Sequence, residues 1–317
     1  MIADITASGA LELLGRLRRR HGLSAQTHNH YLRSAKQFAR WLVRDGRTPT
    51  DPLAHLSRAN VQTDRRHNRR ALSAEEFSRL VDAAGAGKNI QGVSGRDRAM
   101  LYVLAAWTGF RRKEIGSLTV RSLRLHDDPP TATIEACNSK HRRRDTQVLH
   151  PGLVRRLEAW LATKKVKRNE PLFRLYTRIG GGIPRGTGQM MRRDLATARK
   201  KWIKEAPTKE EKARRLDSDF LCYCNHDGLY ADFHSLRHLF MTNLARAGVS
   251  PAMARTLARH ANIRLTLGIY THVELHDQTA AIESLPAPPA VDENETKKTS
   301  RLRLYREEER EGEDSAA

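Results

Sequence analysis

Apolar residues recur at helical spacing along most of the chain, and this spacing predicts a mainly α-helical protein. Leu11 to Arg20 and Ser24 to Asp45 are the first two predicted helices, and Gly46 is placed to end the second. A further short helix is predicted at Leu53 to Ser57. Residues 1–63 therefore form a predicted small helical domain, which is either a packing module or, given its many basic residues, a core-binding domain that clamps DNA. The predicted apolar face of its second helix consists of Tyr31, Leu32, Ala35, Phe38, Ala39, Leu42 and Val43.

A second domain is predicted to begin at residue 72, after a polar and very basic linker over residues 64–71. Ser73-Ala74-Glu75-Glu76 has the spacing of a capping box, with Leu72 and Phe77 as a hydrophobic staple around it. Asp97 to Trp107 is apolar on nearly every side and predicts a helix buried in the domain centre. Further helices are predicted from Pro151 to about Lys164, from Gln189 to Lys204, from His234 to Ala247 and from Pro251 onward, after Ser250 as N-cap.

Two stretches in the second domain alternate as strands do. Thr131 to Cys137 and Asp145 to His150 predict a β-hairpin with a basic tip at residues 138–144. The glycines at residues 180–182 lack the spacing of a phosphate-binding loop and are interpreted as a flexible connection. The expected fold is mainly α, with an α+β domain over residues 72–285 that contains a small hairpin or sheet. Residues 286–317 are charged and poor in core residues, which is typical of a disordered tail.

Charge narrows the class of partner. Lys and Arg number 57 against 36 Asp and Glu, a formal net charge of +21 in 317 residues. Such an excess is the electrostatic signature of a protein that binds nucleic acid. Three cysteines are too few for a disulfide framework, and the longest apolar run, residues 99–107, is too short to span a bilayer. The expected location is the cytoplasm, in association with the nucleoid, without membrane contact.

Several basic residues are candidates for DNA contact, although charge runs are as often simply solvated faces. The candidates are Arg33, Lys36, Arg40, Arg69, Arg70, Arg142, Arg192 and Arg193. The cluster Cys222-Tyr223-Cys224-Asn225-His226 invites a zinc interpretation, but a structural zinc needs four ligands with paired spacings. A plain loop is favoured there, and no metal site is predicted.

Candidate chemistry concentrates between His234 and Tyr270. Arginine matches phosphate with a permanently charged fork, histidine transfers protons near neutral pH, and tyrosine carries an oxygen nucleophile. Upstream, Thr108-Gly109-Phe110-Arg111 ends a buried helix, and Glu114 lies three residues beyond Arg111 on the same helical face. Glu114 can therefore pair with Arg111, hold it toward an anion, or do both. The basic core lacks the carboxylate cluster that two-metal nuclease chemistry requires.

These motifs, in this order, resemble those of the tyrosine recombinase (phage integrase) family. The resemblance covers roughly residues 73–285 and rests on Thr-Gly-Phe-Arg, on His234-Ser-Leu-Arg237-His238, and on the segment from His260 through Tyr270-Thr-His-Val. It implies that Arg111 and Arg237 clamp the scissile phosphate, that His260 donates a hydrogen bond to it, and that Tyr270 attacks it. His234 would accept the proton of Tyr270, Lys140 would protonate the departing 5'-oxygen, and Glu114 would support the arginines. His238 is interpreted as a local packing residue.

The resemblance implies a site-specific recombinase or integrase that cuts and rejoins double-stranded DNA through a 3'-phosphotyrosyl intermediate, as a homotetramer, without a metal, ATP or another cofactor. Two alternatives stay open: a type IB topoisomerase-like activity, and a DNA-binding protein whose site is decayed or regulatory. The first domain is short for the family, and residues 204–227 form a long insertion before the His234 motif. Neither the target sequence nor the choice between integrase and dimer resolvase follows from the residues.

Overall fold

Two long helices form the N-terminal part of this computed structural model, which describes residues 4–140, 142–178 and 181–270. At residues 177, 178, 181–183, 269 and 270 it describes the backbone alone. Helix α1 spans Ala7–His21 and helix α2 spans Ala25–Arg44. The hydroxyls of Thr6 and Ser24 cap them by accepting backbone N–H groups, as N-cap side chains do.

The N-terminal helices bury a small apolar cluster of their own: Leu14, Leu32, Ala39, Leu53 and Leu56. Tyr31 and Phe38, which were predicted on the apolar face of α2, are instead half exposed. The helix predicted at Leu53 to Ser57 was wrong, because residues 52–55 form a hydrogen-bonded turn. Asp51 accepts the backbone N–H of Leu53, and Lys36 Nζ donates to the carbonyls of Ala54 and Leu56. Side chains therefore bind the N–H of Leu53 and the carbonyls of Ala54 and Leu56, which in a longer helix would form backbone hydrogen bonds.

The basic linker is tied to the following domain through its backbone. Asn68 and Arg70 exchange backbone hydrogen bonds with Tyr230, a short parallel bridge. Arg70 also makes a bidentate ion pair with Glu76, at 2.8 Å for both nitrogen–oxygen distances. The predicted capping box is confirmed: Ser73 and Glu76 bond reciprocally at the start of helix α3, Ala74–Ala86. The same Glu76 thus caps the helix and anchors the linker.

The central helix of the larger part is α4, Gly95–Thr108, and its burial is confirmed on nearly every side. Its buried cation, Arg98, is fully inaccessible and binds both carboxylate oxygens of Asp194 at 2.8 and 2.9 Å. Asp194 lies on helix α7, Thr187–Lys204. The pair therefore joins two core helices that are about a hundred positions apart in sequence. Helix α5, Arg112–Ser117, follows α4 directly.

A three-stranded antiparallel sheet flanks these helices, in the order β1-β2-β3. Its strands are β1 (Leu123–Arg124), β2 (Thr131–Ile134) and β3 (Asp145–Val148), so the predicted hairpin is confirmed, with an additional short strand. A second sheet pairs β4, Tyr176–Arg178, with β5, Gly181–Pro184. The flexible connection predicted at residues 180–182 was therefore wrong in part, since strand pairing organises Gly181 onward.

The remaining helices complete a mainly α-helical domain. They are α6 (Pro151–Ala162), α8 (Lys209–Asp217), α9 (Ser235–Arg246), α10 (Pro251–Ala258) and α11 (Arg264–Tyr270). The expected fold class is confirmed. Contacts group the described residues up to Ile269 into one compact unit, and the domain boundary at residues 64–71 stays a prediction. None of the helices in the described part of the chain is long and apolar enough to cross a bilayer.

Candidate active site

The turn that carries Arg111 is shaped by a glycine. Gly109 ends helix α4 in the left-handed region at φ +60°, and a Cβ built there would lie 2.5 Å from a ring carbon of Phe240 on α9. Glycine alone meets both demands. Helix α5 can then begin immediately, and Arg111 becomes its N-cap residue. The chain thereby places an arginine where a buried helix reaches the edge of the core.

Glu114 fixes Arg111 in two ways, as the spacing predicted. Its Oε2 accepts the backbone N–H of Arg111 and its Oε1 accepts from the guanidinium, both at 2.8 Å. The carboxylate is 2% exposed, whereas Arg111 is 23% exposed. Burial alone would raise the pKa of Glu114, but the charge of Arg259 and the hydrogen bonds from Arg111 lower it overall. The carboxylate is therefore ionised at neutral pH, and it leaves part of the guanidinium facing outward.

Arg237 reaches the same turn from helix α9. Its guanidinium donates to the carbonyls of Gly109 and Ala258, and the residue is 4% exposed. Burial and the neighbouring charges of Arg111 and Arg259 lower the pKa of Arg237 to about 9. The side chain is still charged at neutral pH, and it stands next to two other cations.

Arg259 is a site residue that sequence reasoning missed. It ends helix α10 in the left-handed conformation at φ +53°, and its guanidinium lies 4.5 Å from the centre of the Phe110 ring. It also approaches Glu114 Oε2 at 3.4 Å and the carbonyl of Gly109 at 3.5 Å. Only its position directly before His260 could have drawn attention to it.

Three guanidinium groups, from Arg111, Arg237 and Arg259, thus lie near one carboxylate, that of Glu114, which pairs directly with Arg111 and Arg259. The local charge is 3 − 1 = +2 at a largely buried position. Like charges held together away from water repel strongly, and an anion relieves that repulsion. Forked N–H groups match the oxygens of a phosphate in particular. The arrangement is chemically suited to bind a phosphate group.

His260 borders this cluster and is held by a threonine. Its Nδ1 lies 3.0 Å from Oγ1 of Thr266, which is completely buried on helix α11. Burial, followed by the charges of Arg237 and Arg111, lowers the pKa of His260 to about 4. The ring is neutral at pH 7, and if Thr266 donates to Nδ1, then Nε2 carries the proton and can donate to an anion. Thr266 was not recognised in the sequence.

His234 lies at the N-cap of helix α9 and is exposed at the protein surface. Partial loss of water around the side chain, followed by the charges of His238, Arg69 and Arg237, lowers the pKa of His234 to about 4. A neutral imidazole can accept a proton. Asp232 Oδ1 accepts the backbone N–H groups of His234 and Ser235 and so fixes the start of the helix.

Asp232 in turn connects the site to the linker. It accepts from His67 Nε2 at 2.9 Å and from Arg69 Nε at 2.9 Å, and the His67 ring stacks on Tyr230 with 4.1 Å between centroids. A cleft of about 430 Å³ opens beside these groups. It is lined by Arg69, Phe110, Arg112, Thr187, Gly188, Tyr223, Asp232, Phe233, His234 and Arg237. The cleft brings Arg69 of the predicted linker, Arg237 and His234 to one surface.

The two other predicted catalytic residues are Lys140 and Tyr270. Lys140 is exposed in the β2–β3 loop, directly after Ser139, whose hydroxyl donates to Asp145 at 3.2 Å. Tyr270 is the last residue of helix α11, and its side chain lies outside the described residues. His238 is packed beside His234 with 5.7 Å between ring centroids, in agreement with its interpretation as a local packing residue.

The predicted DNA-contacting residues divide into two groups. Lys36, Arg69 and Arg70 make the protein contacts described above. The others are exposed: Arg33, Arg40, Arg142, Arg192 and Arg193. Contact with DNA stays a prediction for both groups. Cys224 is exposed, Cys222 half-buried, and among the described residues no group of three or more His, Cys, Asp or Glu side chains is arranged to hold a metal ion.

Comparison with known proteins gives the arrangement a context. A transposase from transposon Tn916 of Enterococcus faecalis is 26% identical over 272 residues, 84% of this chain. The chain spans 63% of the length of that relative. Tyrosine recombinase XerD of Caulobacter vibrioides is 26% identical over 258 residues, covering 80% of this chain and 72% of its own.

Solved structures agree in fold. The Tn1549 transposon integrase in complex with transposon right end DNA has a TM-score of 0.56 at 18% identity, over 90% of this chain and 87% of that one. The XerH site-specific recombinase bound to difH substrate has a TM-score of 0.57 at 16% identity, over 89% and 71%. The family model described as Phage integrase family matches residues 70–276, nearly two thirds of the chain. The chain belongs to the phage integrase family of tyrosine recombinases.

Proposed function

We propose that this protein is a site-specific DNA recombinase or integrase, which cuts and rejoins DNA strands through a 3'-phosphotyrosyl intermediate. The observation that carries the proposal is that Arg111 and Arg237 meet at one turn, because two neighbouring guanidinium groups suit the oxygens of a phosphodiester. Family membership and a formal net charge of +21 support the same conclusion. The names of the relatives, which include transposases and tyrosine recombinases, agree with it.

In the proposed reaction Arg111 and Arg237 bind the non-bridging oxygens of the scissile phosphate. Negative charge grows on these oxygens as the pentacoordinate transition state forms, so donors that are already oriented stabilise it more than the ground state. Glu114 keeps Arg111 oriented, and the carbonyls of Gly109 and Ala258 keep Arg237 oriented. His260 adds a hydrogen bond from Nε2, with Thr266 holding Nδ1.

Tyr270 supplies the nucleophile in this proposal. Its phenol oxygen forms a bond to phosphorus while the bond between phosphorus and the 5'-oxygen breaks. His234 accepts the phenol proton, which its neutral ring allows at pH 7, and Lys140 donates a proton to the departing 5'-oxygen. The new phosphotyrosyl bond conserves the energy of the phosphodiester, so a 5'-hydroxyl of another strand can reverse the step without ATP or a metal.

The proposed partners follow from this chemistry. The substrate is double-stranded DNA, and exchange between two duplexes requires four cleavages, which a homotetramer would supply with one tyrosine per strand. The proposed location is the nucleoid. The solved relatives in complex with DNA support the choice of substrate.

Covalent trapping tests the proposal. The wild-type protein is incubated with a labelled, nicked suicide duplex whose sequence is taken from the DNA that flanks its gene. The labelled DNA should migrate more slowly in a denaturing gel, and protease treatment should abolish this shift. Tyr270→Phe, which lacks the attacking oxygen, should bind the duplex equally well and form no adduct. A wild-type protein that binds but forms no adduct would favour a DNA-binding role. Relaxation of supercoils without transfer to a second duplex would favour a topoisomerase.

A further inference from the structure

Arg259 joins segments that carry different parts of the proposed reaction. Its backbone ends helix α10 immediately before His260. Its guanidinium lies on the ring of Phe110 in the turn of Arg111, and it approaches Glu114 Oε2 at 3.4 Å. The side chain is 8% exposed, so these contacts are made away from solvent.

Another contact of Arg259 reaches the sheet. Its guanidinium donates to Oε1 of Gln147, a 6% exposed residue on strand β3. Burial lowers the pKa of Arg259, whereas the charges of Glu114 and, on the same strand as Gln147, Asp145 act to raise it. One guanidinium therefore connects the arginine turn to the strand that leads out of the β2–β3 loop.

Strand β3 is in turn connected to Lys140. Gln147 is paired with Ala132 across the hairpin and Asp145 with Ile134. Asp145 accepts the hydroxyl of Ser139, the residue directly before Lys140, and the backbone N–H of Ser139 donates to the carbonyl of Glu135. A hairpin tip is free to swing unless its base is fixed against the core. Here the base is fixed by strand pairing, and Arg259 fixes the strand.

We propose that Arg259 is a positioning residue, which holds the β2–β3 hairpin and hence Lys140 in register with the phosphate bound by Arg111 and Arg237. The inference rests on the proposed function. It assigns Arg259 an effect on protonation of the leaving group rather than a direct part in binding the phosphate. The planar fork of arginine is required, because Gln147 and Glu114 lie on different segments and must be contacted together.

Changing the leaving group tests this role. In a substrate with a 5'-bridging phosphorothiolate at the cleavage site, attack by Tyr270 breaks a phosphorus–sulfur bond, and the thiolate departs without needing a proton. Proteins that lack only the general acid should therefore cleave this substrate well. On ordinary DNA, loss of general acid catalysis costs on the order of 10²-fold or more in rate. Lys140→Ala is the benchmark for that behaviour, and Arg237→Ala is the benchmark for loss of phosphate binding.

We expect Arg259→Gln to cleave ordinary DNA at least about tenfold more slowly than wild type, and to recover most of the rate with the phosphorothiolate, as Lys140→Ala does. Arg259→Lys should recover only part of the rate on ordinary DNA. Gln147→Leu removes the acceptor on strand β3 and leaves Arg259 in place. It should slow cleavage of ordinary DNA less than Arg259→Gln does, and the phosphorothiolate should again restore the rate. Arg246→Gln, an exposed change on helix α9, should behave as wild type on both substrates.

Two results would overturn the inference. Wild-type rates for Arg259→Gln on ordinary DNA would show that the contact has no influence on the reaction. Equal losses on both substrates, as for Arg237→Ala, would mean that Arg259 acts at the phosphate itself. If Arg259→Gln does not fold, Gln147→Leu decides between the same outcomes. A wild-type protein that forms no adduct with either substrate would instead refute the proposed function, and the inference with it.

Discussion

At the scale of single residues, His260 makes stability depend on pH. The folded protein keeps its ring neutral down to about pH 4, whereas an unfolded chain binds a proton below its ordinary pKa of 6.5. The unfolded state therefore takes up the proton first, and stability is lost as pH falls through the interval from about 6.5 to 4. We expect His260→Asn to remove about 1 kcal/mol of the loss in unfolding free energy between pH 7 and pH 5, because solvent around the half-buried ring weakens the effect of the pKa shift.

Urea denaturation at the two pH values measures this difference. His30→Asn, at an exposed position on helix α2, is the matched control and should leave the pH dependence unchanged. Equal pH dependence in His260→Asn and wild type would contradict the prediction.

The ion pair of Arg98 and Asp194 is a residue-scale feature of the core. Arg98 is fully buried and also donates to the carbonyls of Lys88 and Val93, while Tyr102 donates its hydroxyl to Asp194 at 2.7 Å. Asp194→Asn would leave a buried cation without its counter-charge, and we expect a loss of about 3–5 kcal/mol in unfolding free energy.

The surface pair of Arg79 and Glu205 provides the comparison. Glu205 is 41% exposed, so Glu205→Gln should lower the unfolding free energy far less than Asp194→Asn does. Guanidinium denaturation of both variants gives the two values. Similar costs for both would show that burial of the Arg98 pair does not determine its contribution.

At the scale of elements, the junction of helices α4 and α5 depends on Gly109. Alanine there would require a left-handed conformation and would bring its Cβ to 2.5 Å from Phe240. We expect Gly109→Ala to lower the unfolding free energy by at least about 2 kcal/mol, and to slow covalent trapping because Arg111 and Arg237 both depend on this turn. Thermal unfolding and the suicide-substrate assay measure the two effects.

Gly188 in helix α7 is the matched control for that change. A Cβ there meets nothing within 4 Å, and the backbone is helical. Gly188→Ala should therefore raise stability by up to about 1 kcal/mol through loss of freedom in the unfolded chain. Destabilisation by both changes would mean that close approach to Phe240 is not the cause at Gly109.

At the scale of the whole molecule, the large positive charge predicts DNA binding that weakens steeply with salt. Arg33 and Arg40 are exposed on helix α2, whereas Lys36 between them donates to the carbonyls of Ala54 and Leu56. Replacing both arginines with glutamine should reduce the slope of log affinity against log salt by about 2, because each DNA phosphate that the protein no longer neutralises lowers the slope by roughly 0.9.

Lys36→Met is the matched change on the same helix, because it removes a charge that is bound to backbone carbonyls rather than exposed for contact with DNA. It should leave the salt slope nearly unchanged and lower the unfolding free energy by about 1 kcal/mol, because two backbone carbonyls lose their donor. Fluorescence anisotropy over a range of salt concentrations gives the slopes. A larger change of slope in Lys36→Met than in the double arginine variant would contradict the prediction that Arg33 and Arg40, rather than Lys36, contact DNA phosphates.

The sequence by itself determined most of the helices, the β2–β3 hairpin and the candidate catalytic residues other than Arg259 and Thr266. These features depend on residues that are close together in the sequence. Examples are helical periodicity, the capping box of Ser73 and Glu76, and the pairing of Arg111 with Glu114 three residues later. The pattern failed where packing or pairing decides. Tyr31 and Phe38 are exposed although they match helical spacing, and Gly181 onward joins a strand although its composition is that of a loop.

Only the tertiary structure decided which charges meet. Arg111 and Arg259 come from separate segments and both bind Glu114, and Arg259 also reaches Gln147 on the sheet. Arg237 comes from a third segment and joins them through the carbonyls of Gly109 and Ala258. In the sequence, Lys36 and Arg70 look like the other candidates for DNA contact. In the fold, however, Lys36 binds a backbone carbonyl and Arg70 binds Glu76. Electrostatic energy depends on distance and burial, and neither is set by separation along the chain. The types of the reacting groups are therefore local information, whereas the phosphate site is a property of the folded chain.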